Sequence, residues 1–204
     1  MGTDIHGFIQ EKRNGEWKNS LISAFEGRDY MVFAILANVR NGYTFGNNPI
    51  VPIQMNRGLP TDLDVIQPPG VGDSYSYSLE YDGIWLGEHS FGYALLTELL
   101  NYNWKQTLPE GGVLSIEQYR AWDKVSEPSS YSSEAFGVDL LSQEEADALV
   151  PTEDQEHVYV YCSWEQPLSQ ACPYFTEWIN SLKDYATRED IHFNDIRFVF
   201  GFDS

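Results

Sequence analysis

Apolar and polar residues alternate at the start of the chain. In an extended strand the side-chain period is two, so Asp4, His6, Phe8 and Gln10 share one face while Ile5 and Ile9 lie on the other. A strand is predicted to about Glu11, followed by a turn through Arg13-Asn14-Gly15 and a return strand over Glu16-Trp17-Lys18, because Asn-Gly favours a tight hairpin. From Asp29 to Val39 the spacing becomes helical, with Tyr30, Phe33, Ala34 and Ala37 on one stripe, Asp29 near the start and Gly42 as a left-handed stop. Tyr43 to Asp82 is dense in Gly, Pro, Asn, Asp and Ser and loses this periodicity. Loops of that length are uncommon inside a compact domain, and binding residues concentrate on them.

Ser90 to Tyr102 reads as a second helix with Phe91, Leu95, Leu96 and Leu99 on one side, which puts His89 at its N-terminus, a place suited to an anion's partner. Ser115-Ile116-Glu117-Gln118 and Ser142-Gln143-Glu144-Glu145 are capping boxes that open two further helices. Ser126 to Ser133, rich in Ser and Pro, reads as a surface loop. His157 to Trp164 alternates as a strand with both faces occupied, and Pro173 opens a helix striped by Phe175, Trp178, Ile179 and Leu182. The last strand places Ile196, Phe198, Phe200 and Phe202 on one face and Arg197, Val199 and Asp203 on the other. The expected fold is α+β: a small, mainly antiparallel sheet of the first, penultimate and last strands, helices packed on one face, and a long irregular loop.

Composition narrows the picture. At 204 residues, with no Pro/Gly/Ser linker between independent hydrophobic patterns, residues 1–204 are expected to form a single globular domain. No apolar run approaches the roughly 18 residues that a membrane span needs, and no signal-type core opens the chain, so a cytoplasmic protein is expected. Two cysteines, Cys162 and Cys172, are too few for a disulfide scaffold and are expected to be reduced and buried. A net charge of −19 disfavours direct nucleic-acid and anionic-membrane partners. The same charge suits a DNA mimic that binds a basic host protein, although the acids concentrate between Glu134 and Glu156, as on an ordinary solvated face.

Candidate chemistry starts with Asp4 and His6. Neighbours on one strand face, they can fix an imidazole tautomer, position a metal or bind a polar ligand; the structural alternative is an acid that simply orients a histidine at a sheet end. Arg28, Arg40 and Arg57 flank the first helix and the opening of the long loop. Converging near Asp4 and His6, they would make a positive pocket for a phosphate or carboxylate, with Tyr30 beside them; otherwise each pairs with an acid such as Asp29, Asp62 or Asp64. Asp4, His6 and His89, with Asp29, Asp62 or Asp203, are also candidate ligands for a divalent metal that activates water, though no His-x-His or His-Glu-x-x-His is present. Tyr43, Phe45, Tyr75, Tyr77 and Trp85 could stack on a base or belong to the core. Serine and cysteine nucleophile motifs are absent, and so are the dinucleotide and ATP glycine-rich patterns; Gly70-Val71-Gly72 is too short to count. His157 and His192, beside strand boundaries, read as structural.

The opening Met1-Gly2-Thr3-Asp4-Ile5-His6 and the ending Arg197-Phe198-Val199-Phe200-Gly201-Phe202-Asp203-Ser204 also carry a resemblance, with Arg28-Asp29-Tyr30, Val39-Arg40-Asn41, Arg57-Gly58-Leu59-Pro60 and His89-Ser90 between them. The chain resembles an uncharacterised family of phage and prophage proteins that open Met-Gly-Cys-Asp-Ile-His and close on Phe-Asp-Asn or Phe-Asp-Ser. The likeness spans both ends and the first half and is weakest over about residues 105 to 156. Thr3 stands where the family usually has Cys, so no thiolate chemistry carries over there. The resemblance implies a source and a site, but no reaction.

Three functional expectations result. The first is a phage-type cytoplasmic protein that binds, and could hydrolyse, a small phosphorylated or nucleotide-derived ligand, gripped by Arg28, Arg40, Arg57 and Tyr30 with Asp4, His6 and His89 as polar or catalytic groups. Countering a nucleotide signal of host defence would be a role for such a protein. The second is a metal-dependent hydrolase centred on Asp4, His6 and His89. The third is an acidic decoy for a basic host protein.

Overall fold

The computed structural model describes residues 2–42, 49–55, 57–65, 78–152 and 155–203. The chain divides into two compact units. The first is assembled from three stretches that lie before residue 44, across 49–103 and after 171; the second comprises Trp104–Ala171.

The first unit is built on a sheet of β1 (Ile5–Arg13), β2 (Glu16–Asn19), β5 (His89–Leu95) and β9 (Ile196–Phe202), in the order β2-β1-β9-β5. All its pairings are antiparallel. Asn14 and Gly15 both take positive φ, 55° and 86°, which is the twist-matched turn expected of an Asn-Gly hairpin. Every residue of β9 is buried, since it is paired along both edges and covered on both faces. On one face Phe198, Phe200 and Phe202 stand beside Ile5 and Ile9 in register. Two helices supply aromatic partners there: Phe33 of α1 (Tyr30–Ala37) lies 5.0 Å from Phe202, and Trp178 of α6 (Pro173–Arg188) 5.0 Å from Phe198, both edge to face. On the other face Val199 and Phe8 pack with Leu86, Leu63 and Ile84, beneath the short hairpin of β3 (Glu80–Tyr81) and β4 (Ile84–Trp85).

Three expectations need correction in this unit. The first helix is not amphipathic: Val32, Phe33, Ala34, Ile35 and Leu36 are all buried, so it is a core helix, capped by the Asp29 carboxylate on the Met31 and Val32 amides. Its left-handed stop is Asn38 at φ 61°, not Gly42. The predicted helix from Ser90 begins as strand β5 and becomes helical only at α2 (Leu96–Asn101).

The second unit holds β6 (Thr107–Ser115), β7 (Asp139–Leu141) and β8 (Val158–Pro167) in the order β6-β8-β7, with β7 parallel to β8. The penultimate strand therefore belongs to this sheet, and β5 takes the place beside β9 expected for it. Both predicted capping boxes form, at Ser115 for α3 (Ile116–Ala121) and Ser142 for α4 (Gln143–Ala148). Trp164, Tyr119, Leu114 and Val160 make the unit's core, and the short α5 (Leu168–Ala171) follows β8. The fold class is α+β, mainly antiparallel, as expected. Among the described residues no helix is long and apolar enough to cross a membrane.

Candidate functional site

The candidate site lies at the end of the first unit's sheet, where β1 begins and β9 finishes. Asp4 and Asp203 extend the ladder by one pair beyond Ile5 and Phe202. The Asp203 amide donates to the Asp4 carbonyl at 3.2 Å, and the Asp4 amide donates to Asp203 Oδ1 at 2.6 Å. The other carboxylate oxygen, Oδ2, lies 3.1 Å from His6 Nε2. Burial alone would raise the Asp203 carboxyl, but the Asp4 amide, His6 and Arg28 outweigh it and hold the group below its usual range. Asp203 is therefore an ionised acceptor, so His6 carries a proton on Nε2, and in the neutral ring the lone pair is on Nδ1. Nδ1 makes no hydrogen bond among the described residues, and the His6 side chain is 28% exposed.

The imidazole also has an aromatic neighbour. The His6 and Trp85 ring centroids are 4.4 Å apart at 45°, and the indole N–H donates to Ser78 Oγ at 2.6 Å, which fixes the ring's orientation. Trp85 is 39% exposed, so one side of it faces water. Two glycines bring the segment that carries Trp85 and His89 down onto β9. A Cβ on Gly87 (φ 88°) would stand 2.5 Å from the Phe202 carbonyl, and one on Gly201 would collide with the Leu86 carbonyl. The Glu88 amide donates to Phe202 O at 2.7 Å across the same approach.

Arg28 grips Asp4 through two parallel bonds, Nε to Oδ1 at 3.0 Å and Nη2 to Oδ2 at 2.9 Å. Its side chain is 52% exposed, and Nη1 donates to no described residue. The Asp4 contact raises the Arg28 pKa, so its charge is permanent. Arg40, in the left-handed region at φ 56°, donates from Nε and Nη2 to the buried hydroxyl of Thr3 at 3.2 and 2.9 Å and lies 5.7 Å from the Tyr30 ring centroid. His89 approaches from the other side of the sheet: it is in register with Phe202, whereas His6 is in register with Gly201. His89 Nε2 lies 2.9 Å from the Asp203 carbonyl oxygen, and Nδ1 lies 3.0 Å from Ser90 Oγ.

The expected site residues thus divide. Asp4, His6, Arg28 and His89 are linked through Asp203, and Arg40, which lies over the Tyr30 ring, joins at the adjoining Thr3. Arg57 does not. Its guanidinium is committed to Glu98 and to the Tyr93 carbonyl, over the Tyr93 ring at 4.8 Å. Tyr93 is in register with Val199, three residues from Phe202 and so about 10 Å along the sheet. Gly58 meets no neighbour within 4 Å, and its glycine answers to a φ of 75° rather than to close approach. His89 stands at the start of a strand, not at a helix N-terminus. Among the possible further metal ligands, Asp29 caps α1 and Asp62 pairs with Arg197, and among the described residues no group of three or more His, Cys, Asp or Glu could hold a metal ion. Of the stacking aromatics only Trp85 falls within the described residues; Tyr43, Phe45, Tyr75 and Tyr77 lie outside them, as does Gly70-Val71-Gly72.

Two features were not legible in advance. The sequence marked Asp203 only as an accessory metal ligand, and its face on β9, shared with the face of Asp4, was the signal for the larger role. Ser90, at φ 52° in a β-bulge between His89 and Gly92, was hidden inside a predicted helix. No family model, curated protein or solved structure matches the chain.

Proposed function

We propose that the end of the first unit's sheet binds a small phosphorylated or nucleotide-derived ligand. One observation carries the reading: a part-exposed imidazole, held by Asp203 and with no hydrogen bond at Nδ1 among the described residues, lies against an exposed indole and is linked through Asp203 and Asp4 to a half-exposed guanidinium whose Nη1 donates to no described residue. Trp85 offers a stacking face for a base, Arg28 Nη1 offers donors for an anionic oxygen, and His6 Nδ1 accepts a proton or a hydrogen bond from ligand or water. Hydrolysis at this site would use His6 as the base, oriented by Asp203. On the resemblance to phage proteins, the proposed place of action is the host-cell cytoplasm and the proposed target is a nucleotide signal of host defence.

The test is native mass spectrometry of the purified protein for a copurified nucleotide, with thermal-shift titration of a panel of mono-, di- and cyclic nucleotides. A positive shift is expected, weakened about tenfold or more in Trp85→Ala, since a base stacked on an aromatic ring contributes about 1–3 kcal/mol. An empty protein with no shift across the panel removes the reading.

A second reading has its own observation in the other unit. Phe136, Leu140 and Val150 are 84%, 50% and 72% exposed, in the same stretch of chain as the exposed acids Glu134, Asp139, Glu144 and Glu145. Exposed apolar side chains interspersed along the chain with exposed acids suit a basic partner protein, as an acidic decoy requires. That reading expects salt-sensitive binding of such a partner, lost in Phe136→Ser and indifferent to His6→Ala.

A further inference from the structure

Ser90 is an exposed residue that occupies a backbone conformation L side chains seldom adopt, φ 52°, at the point where the pairing of β5 with β9 shifts register. Its hydroxyl oxygen lies 3.0 Å from His89 Nδ1. The direction of that bond follows from the far side of the ring. His89 Nε2 faces the Asp203 carbonyl oxygen at 2.9 Å, and a carbonyl can only accept, so Nε2 carries the proton and Nδ1 of the neutral ring carries the lone pair. Ser90 Oγ–H is then the donor. Hydroxyl, base and orienting acceptor stand in sequence within hydrogen-bond reach, which is how a weak serine nucleophile is activated. Such constellations are recognised by geometry rather than by sequence order, so the missing Gly-x-Ser-x-Gly does not bear on this one.

We infer that Ser90 is a nucleophilic hydroxyl, with His89 as its general base, that attacks an electrophilic phosphorus centre of the ligand. In the step the Ser90 Oγ–P bond forms and the bond from phosphorus to the leaving oxygen breaks. The hydroxyl proton passes to His89 Nδ1 and from there to the departing oxygen, and water later releases the phosphoryl group from Ser90. Asp203 serves both imidazoles, its carboxylate orienting His6 and its carbonyl orienting His89, so one residue positions the binding and the covalent chemistry. The class of substrate rests on the proposed ligand site, whereas the reactivity of Ser90 does not.

The test is treatment of the whole purified protein with a fluorophosphonate, followed by intact mass and peptide mapping. The expected result is a single adduct on Ser90 with loss of fluoride, absent in Ser90→Ala and formed about 100-fold more slowly in His89→Gln, the lower range of a general base's contribution. Near-UV circular dichroism of both variants checks that they remain folded, and Ser90→Gly, which suits a positive φ, replaces Ser90→Ala should the latter unfold. No adduct on the folded protein, adducts scattered over other exposed serines, or wild-type labelling in His89→Gln would each overturn the inference. Nucleotide thermal shifts measured on the same samples separate the two proposals: a shift without an adduct removes only the Ser90 nucleophile, and an adduct without a shift removes only the nucleotide ligand.

Discussion

Replacing Asp203 with Asn keeps the shape of the side chain and deletes its charge. The carboxylate accepts two charge-assisted bonds, from the Asp4 amide at 2.6 Å and from His6 Nε2 at 3.1 Å. Bonds to a charged group contribute about 1.5–3 kcal/mol and neutral ones about 0.5–1.5, so the amide forfeits about 1 kcal/mol at each. Water reaches the 23% exposed side chain and screens part of this, which leaves a loss of about 1–2 kcal/mol at pH 7. For a chain of this size that lowers the melting temperature by roughly 2–8 °C. The pH dependence has a definite sign. The folded carboxyl is held below its ordinary value of 3.8, so its stabilisation is full above the unfolded value and disappears as the pH falls through the folded one. Urea unfolding of wild type and Asp203→Asn, followed by circular dichroism at several pH values, should show a gap at pH 7 that closes in the acid range. A gap below about 0.5 kcal/mol at neutral pH, or one that persists into strong acid, would refute the account of Asp203 as an ionised hub.

Other perturbations probe the frame around it. Gly201→Ala would drive a methyl into the Leu86 carbonyl and to within 2.6 Å of the Phe91 ring; neither the backbone carbonyl nor the paired strand can step aside, so a loss of about 3 kcal/mol is expected in the same unfolding assay. Asp62→Asn strips the counter-charge from Arg197, which is 4% exposed and among the described residues otherwise holds Gln10 and the face of Trp17. Because the Asp62 side chain is 47% exposed, about 2 kcal/mol is expected rather than the 3–5 of a fully buried pair. Arg197 lowers the Asp62 pKa, so this loss too fades as the pH falls into the acid range. Burial pushes the Cys162 thiol up to about 11 and raises Cys172 further, so native protein should resist iodoacetamide at pH 8 and take up two labels once denatured, read by intact mass.

Local chemistry made much of the fold legible. The Asn14-Gly15 turn, the caps at Asp29, Ser115 and Ser142, and Pro173 at the head of α6 all form as their side chains dictate. The failures have physical causes. Phe91, Leu95, Leu96 and Leu99 satisfy a helical period, but the strand-to-helix junction falls inside that run, where Glu98 reaches back to the Leu95 amide. β6 contains Pro109, Gly111 and Gly112, residues that weaken a strand, and is formed by its long pairing with β8 instead of by propensity. At the site, the period of two placed Asp4 beside His6, and the odd face of the last strand held Asp203. Arg57 escaped because its acid, Glu98, lies 41 residues away, beyond any local signal.

The central position of β9 also sets an order of assembly. Its neighbours β1 and β5 come far earlier in the chain, so on the ribosome their facing edges stay bare until residues 196–202 emerge, while Trp104–Ala171 already has every strand of its own sheet. A nascent chain arrested before Ile196 therefore offers two sticky margins to passing polypeptides, and that interval is where misassembly in the cell should concentrate.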